Sequence, residues 1–337
     1  MNVPALLLVH YGSAAATAAA LAGAVPQLPA GAPVLVLDNR GDLGDGPMWR
    51  FDPALPPARL LVPGRNLGFA AGMNRLIEAA LAVAAVQSVL LLNDDTLPGA
   101  VLVAGLLAAQ AEAPADAGMV AARLMAADDP SRIDSLGITL YRSGLASNRK
   151  RLDERLLGPT GGCMLLSRRL LGELYTAHGE YFDESFFCYA EDTDLVMRAR
   201  WLGFGVAYAD HAVALHKGSA SSGGPDNEFV LYHGIRNSLW ALAKNAPALW
   251  LLAHLPWIVL AHGGIWLRNL RKGRWRTLLR LYRDALVGLP AVLRKRIRVR
   301  RSRRVPASAW WRWVEPRLYE RGYLRIAWRD LWRRAKR

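Results

Sequence analysis

In Val89-Leu90-Leu91-Leu92-Asn93-Asp94-Asp95-Thr96, four apolar residues end abruptly in an amide, two carboxylates and a hydroxyl. A short apolar run closed by polar turn residues reads as a strand buried on both faces of a parallel sheet. In open α/β sheets, ligands sit just beyond the carboxyl ends of the strands. The chain therefore carries the oxygen-bearing side chains of Asn93, Asp94 and Asp95 from its core to a site. Hard cations such as Mg²⁺ and Mn²⁺ take oxygen ligands and share them with substrate phosphates. Asn and Asp are also common in plain strand-end turns, so the octapeptide alone leaves a ligand site and a solvated turn both open.

On the amino-terminal side, strand and helix alternate. Val3–Val9 reads as a strand and Ala14–Ala24 as an Ala-rich helix. Val34–Leu37 is a second buried strand ending in Asp38-Asn39, and Arg59–Val62 a third. Asn66–Asn74, with Gly68 and Gly72, opens a helix to about Ala85. The first 25 residues are apolar but carry no basic n-region and run on into the next strand, so they read as part of the fold and not as a signal peptide. Short links between alternating elements predict a mostly parallel sheet covered by helices. Asp38 ends the second strand of a nucleotide-binding type of unit, where a carboxylate can bond a ribose or base edge; a turn or cap role is the alternative. A GxGxxG fingerprint is absent, which argues against a nicotinamide enzyme.

On the carboxyl side, a helix over Gly99–Ala111 and a strand over Met119–Leu124 follow. Residues 126–157 are polar and fit a hairpin at most. Pro159-Thr160-Gly161-Gly162 sets a tight turn before the strand Cys163–Leu166. Glu191, Asp192 and Asp194 stand at a helix start, where the macrodipole favours carboxylates. Asp194 and Arg198 are spaced for an i,i+4 surface ion pair. Capping and pairing account for one or two of these acids and not for the third. Gly203–Tyr208 leads into another strand, after which His216 opens a Ser/Gly-rich loop over 216–224. Glu228–Lys244 reads as a helix closing over the site, with Tyr232, Arg236 and Asn237 near one face.

The 337 residues carry a net charge of +15, unevenly placed. Residues 268–337 hold 24 Lys and Arg against 4 Asp and Glu, leaving 19 against 24 for the rest. Cys163 and Cys188 make neither a disulfide framework nor a CxxC site, which fits a reducing compartment. Residues 248–267 have no charged side chain over 20 residues, about the minimum for a span. His254, Pro256, His262 and Gly263-Gly264 interrupt it, and an Arg-rich tail should stay on the cytoplasmic side. An in-plane or re-entrant segment is therefore favoured over one full crossing. Beyond it, Arg interleaves with Trp266, Trp275, Trp310, Trp311, Trp313, Trp328 and Trp332, as in helices lying on anionic lipid. The neighbouring apolar stretch argues against nucleic acid as the basic tail's partner.

Asn66–Asn74, Leu90–Thr96, Pro159–Leu166, Glu191–Phe204 and His216–Ser221 come in the order and approximate spacing of glycosyltransferase family 2. The chain resembles that family's bacterial rhamnosyltransferase-like members over about residues 3–240. The resemblance implies a GT-A fold for residues 1–240, and the composition makes 241–337 a basic, Trp-rich, helical membrane-associating region. It implies an inverting, metal-assisted hexosyltransferase acting on a nucleotide-diphosphate sugar, with rhamnose suggested as the sugar. The acceptor would be a hydroxyl of a lipid-linked or cell-envelope glycan, at the cytoplasmic face of a bacterial inner membrane. Asp38, Asn39, Asn66, Gly68, Asp94, Asp95, Gly161 and Gly162 would bind the donor. Asp95, Asn93 and His216 would hold a divalent cation, Mn²⁺ or Mg²⁺. Asp192 would be the catalytic base, with Glu191 beside it. Asn93 departs from the family's DxD pattern by offering an uncharged oxygen at its first position. That departure is the one feature favouring the alternative, a non-catalytic nucleotide-sugar-binding or membrane scaffold protein.

Overall fold

The computed structural model describes residues 3–218 and 227–322. The last part of the Ser/Gly loop, 219–224, and the expected interfacial residues Trp328 and Trp332 lie outside the described residues.

The elements run β1 (Val3–His10), α1 (Ala14–Ala24), β2 (Val34–Asp38), β3 (Met48–Trp49), β4 (Ala58–Leu61), α2 (Gly68–Leu81), β5 (Val86–Leu92), β6 (Thr96–Pro98), α3 (Leu102–Glu112) and β7 (Ala117–Ala126). Then come β8 (Asp129–Ser135), β9 (Ile138–Tyr141), β10 (Ala146–Asn148), β11 (Cys163–Ser167), α4 (Arg168–His178), α5 (Glu191–Trp201) and β12 (Gly205–His216). The carboxyl-terminal part holds α6 (Glu228–Asn245), α7 (Ala248–Leu270), α8 (Trp275–Arg301), α9 (Ala309–Trp313) and β13 (Val314–Glu315).

The main sheet has the order β3-β4-β2-β1-β5-β11-β7-β12-β6, with β8 on β7. The block β4-β2-β1-β5 is parallel, as the alternation of strand and helix predicts. Side chains on β1 alternate between two cores, because successive residues point to opposite faces. Leu7 and Val9 join Leu35, Leu91 and α2 on one face. Leu6 and Leu8 join Val36, Leu90, Leu92 and α1 on the other.

β11 runs antiparallel to β5, pairing Cys163 with Leu92. It also runs antiparallel to β7, which restores β7 and β12 to the direction of β5. The carboxyl ends of β1, β2, β5, β7 and β12 therefore share one edge of the sheet with the amino end of β11. This places Tyr11, Asn39, Asn93–Asp95, Gly161-Gly162 and His216 together, although they lie far apart in the chain.

The polar stretch 126–157 is more ordered than its composition predicts. β8 forms a hairpin on β7, and β9 builds a small second sheet with β10 and the distant β13. α7 is one continuous helix through Pro256 and Gly263-Gly264, not a segment that turns back on itself. α6 runs through the expected boundary at residue 240 and packs along α8.

Candidate active site

A cleft of about 1070 Å³ opens at the shared sheet edge. Asn39, Asn66, Gly68, Asn93, Asp94, Asp95, Gly161, Gly162, Glu191, Asp192 and His216 all line it. Every residue expected to bind donor, metal or acceptor proton is thus in one cavity, except Asp38.

Asp38 does not line the cleft. Its carboxylate is buried and accepts the N–H groups of Arg40, Gly41 and Leu43 at 3.0, 2.6 and 2.9 Å. Its oxygens shape the turn after β2, which was the alternative reading of this position. His10, Asp38 and Asp42 bring potential metal-binding atoms within 4.8 Å of one another. His10 already bonds Thr17 through Nδ1 and Asp42 through Nε2, both at 2.7 Å. A cation there would have to displace these bonds.

Asp94 turns away from the Asp95 side chain. Its Oδ2 accepts the N–H groups of Tyr11 and Gly12 at 2.9 and 2.6 Å, fixing the loop after β1. Asn39 bridges to the start of α2, accepting from Leu67 N–H and donating to Gly68 carbonyl, both at 3.0 Å. Asn66 accepts the Gly68 N–H at 2.8 Å. Gly68 has φ +80°, and a Cβ there would lie 2.5 Å from the Phe187 ring, so no other residue fits.

Asp95 Oδ1 is buried and has no hydrogen-bond donor among the described residues. His216 Nε2 faces it at 3.3 Å, an ion-pair contact and not a hydrogen bond. The other ring nitrogen, Nδ1, is held by Asp134 Oδ2 at 2.7 Å. Burial works against charge on this imidazole, but the Asp134 hydrogen bond and the Asp95 carboxylate outweigh it and raise its pKa to about 9. Asp134 lies in the polar stretch that the sequence left unassigned. Its alternation in Ser131–Ser135 is the only sequence signal for it, since its partner is distant in the chain.

The two acids at the start of α5 form the opposite wall. Asp192 is partly open to the cleft yet ringed by protein. Burial raises its pKa above the ordinary carboxylate value. Opposing that, its Oδ2 accepts Gly161 N–H at 2.8 Å and its Oδ1 accepts Thr193 N–H at 2.6 Å. Glu191 is buried, with Oε2 unpartnered among the described residues. Burial first, and the Asp192 charge second, raise its pKa well above normal. Of the two neighbouring carboxyls, Glu191 is therefore the harder to ionise.

Asp194 is not on the surface. It and Arg198 are fully buried and paired at 2.8 Å, and Lys244 Nζ reaches Asp194 Oδ2 at 2.9 Å. Lys244 also meets Asp183 at 2.8 Å, and Lys295 of α8 meets the same carboxylate at 2.6 Å. This network ties the acid-bearing helix to α6 and α8.

The approach to α5 is unusual. Phe187, Tyr189 and Ala190 have φ of 65°, 66° and 62°. Such backbone costs on the order of 1–3 kcal/mol per residue and persists only where its surroundings enforce it. All three residues line the cleft.

Neither a protein-family model nor a curated protein matches the chain. Among solved structures, it resembles GalNAc-T7 with UDP, GalNAc and Mn²⁺: TM-score 0.53, 10% identity, 82% of this chain and 54% of that one. The chain thus spans about half the length of that protein. Others are the mannosyltransferase PcManGT from Pyrobaculum calidifontis with GDP-Man and Mn²⁺ and S. aureus TarS 1-349. The former has 15% identity, TM-score 0.45 and covers 92% and 79% of the two chains. The latter has 16% identity, TM-score 0.47 and covers 73% and 66%. At such identity the likeness is one of fold. The fold is GT-A type.

Proposed function

We propose that this chain is a metal-assisted, inverting glycosyltransferase that moves a sugar from a nucleotide-diphosphate donor to an acceptor hydroxyl. The observation that carries the reading is Asp95, whose Oδ1 is buried in the cleft without a donor among the described residues and faces an imidazole. Metal-binding histidines characteristically give their other ring nitrogen to a carboxylate, and Asp134 does this for His216. Asp95, His216 and the carbonyl oxygen of Asn93 are a donor set suited to Mn²⁺ or Mg²⁺. The fold neighbour GalNAc-T7 carries Mn²⁺ together with UDP, which fits the same assignment. When bound, such a cation supplies positive charge for a leaving diphosphate.

The chain's own residues do the rest. Asp94 and Asn39 hold the loops after β1 and β2 that frame the nucleotide. Gly161 and Gly162 bring backbone close to substrate. Asp192, ionised and held by Gly161 N–H, accepts the proton of the acceptor hydroxyl. A single base opposite the leaving group implies inversion at the anomeric carbon. Rhamnose is the donor sugar that the sequence resemblance suggests.

The same reading places the chain on the cytoplasmic face of a membrane, extending a lipid-linked or cell-envelope glycan. Trp275, Leu279, Leu286, Leu293 and Ile297 of α8 are all exposed. At 100° per residue they fall within about 40° of one line. Arg276, Arg280, Arg283, Arg294, Arg298 and Arg301 are exposed along its flank. An apolar stripe edged with Arg matches a helix lying in an anionic interface. α7 adds exposed Leu249, Leu252, Val259 and Leu260, and is long and apolar enough to cross a membrane by length and composition. Residues 1–240 then carry the chemistry and 241–337 the membrane contact, and the two share one core, in which Trp250 and Trp310, the latter expected at the membrane interface, are fully buried beside Trp201. Assaying nucleotide-sugar hydrolysis with and without Mn²⁺ tests the activity: metal-dependent release of one nucleoside diphosphate supports it.

A further inference from the structure

We infer that Asn237, on α6, is the positioning residue that sets the geometry of the Glu191-Asp192 pair. This inference rests on the transferase reading above. The side-chain amide of Asn237 is completely buried. Its Nδ2 donates to the carbonyls of Phe186, Cys188 and Tyr189 at 2.9, 2.8 and 2.8 Å. An amide nitrogen has two hydrogens, so one is shared among the three acceptors. Arg236 Nε donates to Asn237 Oδ1 at 2.9 Å, which fixes the orientation of the amide.

The three carbonyls belong to the strained approach to α5. Phe187, at φ 65° and ψ −65°, makes the rarer, strained form of γ-turn, with Cys188 N–H bonded to Phe186 carbonyl at 2.8 Å. Tyr189 and Ala190 continue in left-handed backbone, and Ala190 caps α5 without a side-chain bond. Glu191 and Asp192 follow immediately. None of the three left-handed residues is glycine, so local preference opposes this path. It is held from outside, by Asn237 on one side and by Ala70 N–H bonding Phe187 carbonyl at 3.1 Å on the other. Without the amide, the segment relaxes toward negative φ, and α5 begins with a different rotation. The Asp192 carboxylate then leaves Gly161 N–H and loses its aim at the acceptor hydroxyl.

Cys188 supplies a readout that needs no substrate. It is partly buried within the segment, and burial chiefly keeps its thiol protonated. The only other cysteine, Cys163, is fully buried in β11. The test compares the full-length protein with Asn237→Asp, which keeps the shape and removes the donors, and with Asn237→Ser, which keeps one donor. Three measurements are made: thermal unfolding, maleimide labelling of Cys188, and metal-dependent donor hydrolysis. The expected result for Asn237→Asp is a cooperative, native-like melt and labelling faster by about 10-fold or more. kcat falls by about 10- to 100-fold, the scale of a 1 Å misplacement, and donor KM stays within about 2-fold. Adding Ala190→Gly, which takes positive φ without cost, restores part of kcat. Asn237→Ser is read in the same way should the aspartate variant fail to fold. Unchanged labelling and kcat overturn the inference, as does a fall in melting temperature alone. If the wild-type protein hydrolyses no donor while labelling still accelerates, the transferase reading fails and the lock on the segment stands.

Discussion

Asp192 Oδ2 accepts the backbone N–H of Gly161 at 2.8 Å, joining the start of α5 to the turn before β11. The bond fixes where the carboxylate points and opposes the rise in pKa that burial causes. Asp192→Asn keeps size and removes the base. Turnover should fall by about 10²–10⁴-fold, the usual worth of general-base catalysis, while nucleotide binding measured by calorimetry persists. In the wild type, kcat should fall as pH drops through a value above the ordinary 3.8 of an aspartate.

Glu191 allows a stability measurement with a definite sign. Its folded pKa lies above the unfolded one, so the folded state holds a proton that the unfolded state releases. Stability is therefore lost as pH rises from about 4 toward the raised value. Glu191→Gln removes that cost. Its melting temperature should exceed wild type at pH 7, with the difference shrinking toward pH 4.

Lys244 neutralises two buried carboxylates, Asp183 and Asp194, at 2.8 and 2.9 Å. Burial opposes ionisation of both acids, and Lys244, together with Lys295 on Asp183 and Arg198 on Asp194, outweighs it, holding both pKa values low. Lys244→Met removes the cation that the two acids share, leaving Asp183 with Lys295 and Asp194 with Arg198. Breaking such a buried network should cost about 3–5 kcal/mol in a denaturant titration. The depressed carboxylates also predict that this part of the stability fades as pH falls below the ordinary aspartate range.

These groups show where the sequence is legible and where it is not. The alternating apolar strands and the first helix follow from local pattern, and α1 spans the expected Ala14–Ala24. The cleft residues follow from strand ends, because topology brings those ends to one edge. Other features need partners far along the chain. Asp194 and Arg198 looked like a surface pair because Lys244 lies 50 residues away. Asp134 stayed hidden because its meaning comes from His216. The left-handed path at 187–190 contradicts its own residue types and exists because Asn237 enforces it. Asp38 illustrates the reverse: a ligand position by topology, it is consumed by its own turn.

The apolar stripe on α8 predicts a surface effect. Leu286→Asp with Leu293→Asp puts two charges on exposed positions of that line. Sedimentation with vesicles containing anionic lipid should drop sharply for the double variant, and raising the salt should weaken wild-type binding. The melting temperature should stay near wild type, since neither side chain is buried.

The most direct measurement is hydrolysis of a panel of nucleotide-diphosphate sugars by the purified full-length protein, with Mn²⁺ or Mg²⁺ and then with chelator, beside Asp95→Ala. The account predicts slow release of one nucleoside diphosphate that chelator abolishes and that Asp95→Ala lacks. No release from any donor, with no metal-dependent nucleotide binding, would contradict it.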